Sequence, residues 1–326
     1  MQFAVFSRIR TTGSEFTSIP YLDRSFGFFF IVEYMVEDLP ANNKDRFYIS
    51  FLQIIITIFC LITSTVFMQF SMMSALYYNR LPDDFKDSYS AMSSSEKEKV
   101  QKSLSENLAQ EVKTEPDRLT QEYYRLVIGK YPFILVINSI FWAISFLLPA
   151  YIFFGRYLKA PGAELGAELS FQTVSRGLLA GAFTFAVVSL FSLIFYFFDY
   201  KPHVGDFQKI LFKEMKGNVS LFAWSVYSVG MLTGIFEELY FRGYLLTHFV
   251  KSGHARFGLF FTSILFGLMH YSFGVSAFVP FITAVVGYFF ASFYLFTGNI
   301  WISASAHAAY NSLGLLTAFL LGDKLL

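Results

Sequence analysis

The apolar segments of this chain decide the class of fold open to it. Residues 48–76, 131–154, 177–198, 219–250, 257–270, 277–296 and 300–321 are each dominated by Phe, Leu, Ile, Val and Ala. A transmembrane helix needs about 20 predominantly apolar residues, because the hydrocarbon core is ~30 Å thick and a helix rises ~1.5 Å per residue. Only the 257–270 segment falls clearly short of that length. Composition agrees. Of 326 residues, 55% are hydrophobic and 43 are Phe, and the mean hydropathy is +0.48, too apolar for a soluble domain of this size. The expectation is an all-α, polytopic, multi-pass membrane bundle of about seven to eight transmembrane helices. The eighth is counted only if the aromatic run at residues 28–36 inserts. That run is short and carries Glu33, which favours an interfacial segment.

Between the spans the chain is polar. Residues 79–130 carry charges of both signs. Ser93-Ser94-Ser95-Glu96 spells a capping box, Val100, Leu104 and Leu108 recur at helical spacing, and Pro116 breaks the pattern. These signs predict a solvated helical insertion between the first two spans, with no catalytic part. Lys159-Ala160-Pro161 and the doubled Gly-Ala-Glu-Leu at 162–169 mark a turn. Gly177 and Gly181 offer a small-residue face for close packing in a membrane. Residues 201–218 read as a polar connection. The resulting division is an N-terminal interfacial extension at 1–47, a first span with its insertion at 48–130, and a membrane-embedded core at 131–326.

Charge and cysteine content exclude several functions. The net charge of +1 gives no reason to expect a nucleic-acid partner. The one cysteine, Cys60, allows neither a disulfide framework nor a cysteine-based zinc site within one chain. No long apolar run precedes Arg8, so no cleavable signal peptide is expected. Basic residues fall on both sides of the bilayer under alternating topology and leave the orientation open.

The chemistry lies in the last four apolar segments. Glu237, Glu238 and Arg242 interrupt an otherwise apolar run, where each ionised group costs ~2.5–3.5 kcal/mol on insertion scales. Glu238 and Arg242 share a helix face four residues apart, which on its own describes a structural ion pair. Glu237 points about 100° away from Glu238, and one arginine neutralises one carboxylate. A carboxylate without a matched cation in low dielectric suits a general base. His270 closes the next segment. His307 and Asn311 share a face of the last one, among Ser303, Ala304, Ser305, Ala306, Ala308 and Ala309, small neighbours that permit a close helix contact. Interhelical hydrogen bonding is the plain reading of that pair. His248 and His254, beside Lys251 and Arg256, read as surface residues. If the segments pack together, these polar groups must satisfy one another or line a wet cavity.

Three patterns, Glu237-Glu238-x-x-x-Arg242, Phe266-x-x-x-His270 and His307-x-x-x-Asn311, resemble the motifs of the CPBP intramembrane proteases, which include the type II CAAX prenyl endopeptidases and the Abi proteins. The resemblance covers about residues 177–321 and says little about 1–130. It implies an all-helical membrane fold in which Glu237 acts as general base on a water, helped by His270. It further implies that Asn311 stabilises the oxyanion and that Glu238, Arg242 and His307 organise the site. A metal-free mechanism is preferred, since Arg242 beside the acids disfavours a divalent cation. Zinc held by two histidines and a glutamate remains open, although the His-Glu-x-x-His pattern is absent.

The expected activity is that of an intramembrane endopeptidase acting on membrane-associated peptides or proteins, CAAX-like or otherwise, within the lipid bilayer. Two alternatives stand beside it. A non-catalytic membrane scaffold would keep the motif residues as a polar core. An ion- or proton-coupled transporter would spread polar residues through many spans and repeat its hydropathy pattern.

Overall fold

A computed structural model describes residues 44–151, 168–198, 203, 205–271 and 276–322. The interfacial extension at 1–47 falls almost wholly outside them. So do residues 159–161, most of the Gly-Ala-Glu-Leu pair, and the side chain of Cys60. Among the described residues every regular element is helical. The order is α1 (Lys44–Arg80), α2 (Asp83–Ser88), α3 (Ser94–Thr114), α4 (Pro116–Gly129), α5 (Ile134–Tyr151), α6 (Phe171–Phe197), α7 (Asp206–Met215), α8 (Val219–Lys251), α9 (Ala255–Leu268), α10 (Phe278–Thr297) and α11 (Ile300–Leu321).

By length and composition, α6, α8 and α10 are able to cross a membrane, and α4 with α5 makes a fourth span if the bent pair is counted as one. The described helices thus give three or four spans on that measure, against the seven to eight expected. α11 is long enough at 22 residues, but Ser303, Ser305, His307, Asn311 and Ser312 lower its hydropathy. A helix enclosed by other helices needs no fully apolar surface. The 110° bend between α4 and α5 falls at Tyr131-Pro132. The proline ring disfavours helical backbone in the residue before it, so the chain turns there.

The insertion is held more firmly than a solvated loop. Ser93 caps α3, its hydroxyl accepting from the Glu96 N–H while the Glu96 carboxylate accepts from the Ser93 N–H. Leu108, Leu119, Tyr123, Val127 and Ile128 are buried in one cluster with Leu76 of α1, Leu211 and Met215 of α7 and Leu315 of α11. Arg80, at the end of α1, donates to Glu111 at 2.9 Å and to Glu122 at 2.6 Å. The outer face of α3 meets solvent as expected, and the inner face seals one end of the bundle. α7 lies inside what reads as a polar connection. Leu211 and Met215, four apart, give it a buried stripe.

α11 is the axis of the bundle. α6 lies along it through Gly177 and Gly181. A Cβ at Gly177 would meet the Ser305 Cβ at 2.5 Å, and one at Gly181 would strike the Ala306 carbonyl and the Ala309 Cβ. α8 approaches from another side through Gly234, where a Cβ would sit 3.1 Å from the Ala308 nitrogen. The small-residue face of α6 and the alanines around His307 are therefore two halves of one contact. His254 is exposed as expected, but His248 is buried. The reason is that the last turn of α8 packs against α1 and α9, which keeps His248 inside the bundle.

Candidate active site

α8 does not keep one helical pitch. Val226–Thr233 and Leu239–Leu246 are π-helical, and the α-helical turn Gly234–Glu238 lies between them. Threonines mark the ends of the wider turns. Thr233 donates to the Ser228 carbonyl at 3.1 Å and Thr247 to the Arg242 carbonyl at 2.8 Å, each five residues back. π-helical turns are rare and concentrate at functional sites. Here they bracket the α-helical turn that carries the two adjacent acids.

Glu238 is fully buried and fully engaged. Its Oε1 accepts from Arg242 Nη1 at 2.9 Å and from His307 Nδ1 at 3.1 Å, and its Oε2 accepts from the Ser303 hydroxyl. Arg242, equally buried, gives its second amino group to the Gly287 carbonyl at 2.6 Å. Its guanidinium lies 4.8 Å from the Phe266 ring centroid, 5.7 Å from that of Phe241 and 5.9 Å from that of Phe290. A buried cation so placed has a carboxylate, a carbonyl and three aromatic faces in place of water.

Glu237 has a different environment. Its side chain is 20% exposed, and its Oε2 is buried with no hydrogen-bond partner among the described residues. His307 Nε2 lies 3.9 Å from that oxygen. His307 therefore stands between the two acids, Nδ1 on Glu238 and Nε2 toward Glu237. Its ring is stacked on Phe290 at 4.8 Å and meets Phe266 edge-on at 5.6 Å.

Four of the six expected site residues, Glu237, Glu238, Arg242 and His307, form one cluster. His270 joins it through Phe266. It lies in the turn after α9 as an exposed residue, its Nδ1 is 2.8 Å from the Phe266 carbonyl in a part-buried contact, and its ring is 4.9 Å from the Phe266 ring. Phe266 thus touches both histidines and the arginine. Asn311, one turn beyond His307, donates from Nδ2 to the Val229 carbonyl at 3.0 Å, inside the first π-helical stretch. That is the interhelical bond which the plain reading of the pair anticipates.

Ser303 belongs to this cluster and is missing from the expected set. The signal was its spacing, four residues before His307 and so on the same face. As for a metal, no three His, Cys, Asp or Glu side chains stand together as a binding group among the described residues. Glu238 already accepts three hydrogen bonds, and His307 Nδ1 is turned to it. The donors of the three-ligand zinc site left open above do not converge.

Residues 219–313 match the family model described as type II CAAX prenyl endopeptidase Rce1-like. The match opens at the first residue of α8 and closes just after Asn311, so it takes in all three motifs and is narrower than 177–321. No curated protein and no solved structure matches the chain. The family match and the long apolar helices describe an integral, multi-pass membrane protein.

Proposed function

We propose that this protein is an intramembrane endopeptidase that hydrolyses peptide bonds of membrane-associated proteins. Glu237 is the general base in this reading. It takes a proton from a water whose oxygen attacks the scissile carbonyl carbon, and it returns that proton to the amide nitrogen as the C–N bond breaks. The observation that carries the reading is the contrast between two neighbouring acids. Glu238 is saturated, whereas Glu237 keeps a buried oxygen with no hydrogen-bond partner among the described residues, facing His307 Nε2 across 3.9 Å. A base needs a free oxygen within reach of the proton it abstracts.

The remaining residues divide the work. Glu238 and Arg242 hold His307 in place, and His270, at the exposed end of α9, assists at the water. Asn311 gives one of its two amide hydrogens to Val229 and has the other for the oxyanion that forms on attack. No step is routed through a metal ion. The surrounding architecture is the seven- to eight-span bundle, with residues 131–326 as its protease-like core. The family description makes a prenylated CAAX protein the first substrate to offer, and an unprenylated membrane-anchored peptide the second.

The test is cleavage of both substrates by reconstituted protein, wild type against Glu237→Gln. The substitution keeps size and polarity and removes the base. The variant is expected to be at least ~10²-fold slower at an unchanged melting temperature, and a chelator is expected to leave the wild type active. Equal rates for the two proteins would refute the assignment of the base.

A further inference from the structure

We infer that Ser303 is a positioning residue of this site, which through Glu238 sets the nitrogen of His307 that carries the proton. The inference rests on the reading of Glu237 as base and adds a residue to it.

Glu238 has two oxygens and three donors around them. Arg242 and His307 Nδ1 share Oε1, and Oε2 has the Ser303 hydroxyl. Ser303 is itself fully buried, and its one proton lies between Glu238, the nearer acceptor, and the Phe290 carbonyl at 3.0 Å. A carboxylate paired with arginine accepts and does not donate. His307 Nδ1 therefore donates to it, and in the neutral imidazole Nε2 presents a lone pair. That lone pair faces the Glu237 Oε2 across 3.9 Å. The Nδ1–H tautomer thus aims no N–H at Glu237 Oε2 and leaves the base unblocked by His307.

The other tautomer would undo this arrangement. With hydrogen on Nε2, His307 would aim that N–H at Glu237 Oε2, and a closing of the 3.9 Å gap by less than about 1 Å would occupy the oxygen that must take the proton from water. Ser303 disfavours that state by fixing the second oxygen of Glu238, so that the first stays turned to Nδ1. Gly287 and Phe290 of α10 and Ser303 of α11 meet Arg242 and Glu238 here, so the tautomer depends on how α8, α10 and α11 pack.

The experiment pairs Ser303→Ala with Ser303→Thr, which restores the hydroxyl. Nitrogen-15 spectra of histidine-labelled, reconstituted protein report the tautomer, with the His307 signals identified by their loss in His307→Gln. In the wild type Nδ1 is expected to be protonated and Nε2 bare. Ser303→Ala is expected to move population to the Nε2–H form and Ser303→Thr to move it back. In the peptidase assay kcat should fall about 10- to 100-fold in Ser303→Ala, the range for an outer hydrogen-bond partner, with KM unchanged and kcat recovered in Ser303→Thr. Should Ser303→Ala fail to fold, Ser303→Cys keeps the volume, weakens the donor and should show the same spectral change. A His307 spectrum indifferent to Ser303 overturns the inference whatever the activity. A Ser303-dependent spectrum in a protein that cleaves nothing upholds the positioning role and counts against the peptidase reading alone.

Discussion

Arg242 and Arg80 each hold carboxylates, in opposite surroundings. Arg242 and Glu238 are fully buried, and the pair is completed by the Gly287 carbonyl, Ser303, His307 and three phenylalanine rings. Arg80 is 21% exposed and spreads its guanidinium over two acids, Glu111 and Glu122, which are 24% and 35% exposed. Water does for the second pair what the protein must do for the first. A buried ion pair is costly to assemble and more costly to break, because the remaining charge has no solvent to turn to. An exposed pair exchanges one set of favourable contacts for another. The first arrangement holds chemistry in place, and the second fastens the insertion to the end of α1.

The sharpest way to break this comparison is Glu238→Ala. It leaves Arg242 buried without its carboxylate and removes the acceptor of Ser303 and His307. A loss of about 3–5 kcal/mol is expected, seen as a large fall in melting temperature or as failure to purify. A melting temperature equal to that of the wild type would mean that the buried pair has no structural role. Arg242→Lys comes next. The charge stays, but an ammonium lacks the planar fork that reaches Glu238 and Gly287 together. The expected loss is about 1.5–3 kcal/mol, the scale of one hydrogen bond to a charged group, on the same melting measurement.

Arg80→Ala should cost about 1 kcal/mol or less after screening by solvent. High salt should shrink the difference, and hydrogen exchange should rise in α3 and α4 while peptidase rates stay within twofold. A loss comparable to Glu238→Ala would erase the distinction between the two sites. The smallest effect belongs to the cap of α3. The Ser93 hydroxyl, with its backbone N–H, holds the Glu96 carboxyl below the usual carboxylate range. A lowered value in the folded protein means that this stabilisation is present at neutral pH and is lost as pH falls through it. The protection factors of amides in the first turn of α3, corrected for the intrinsic slowing of exchange in acid, should therefore fall as pH drops through that value and hold steady near pH 7.

Much of this was legible in the sequence because it is local. The Ser93–Glu96 box joins residues three apart, and Glu238 and Arg242 are four apart on one helix. Spacing alone predicts both. The same reasoning separated Glu237 from its neighbour, since one arginine neutralises one carboxylate. It did not find Ser303, which passes for another small residue until Glu238 is seen against it. Nor did it find α7, a ten-residue helix whose two buried positions are a thin signal inside a polar connection. The π-helical stretches of α8 left no mark on the apolar pattern, since they change how far the chain turns and not which residues it contains.

Hydropathy and short-range spacing, then, determined that this is a helical membrane protein, where its apolar segments run and which side chains carry the motifs. These properties need only a chain and a solvent. Tertiary structure alone decided which motif residues share a hydrogen bond. Ser303 and His307 reach Glu238 across 65 and 69 residues, and Gly181 meets Ala306 and Ala309 on another helix. Such partners depend on the rotation and depth of each helix in the bundle. A helix buried on several sides takes its rotation from how small residues and polar groups fit across its contacts, and that fit exists only once the helices have packed.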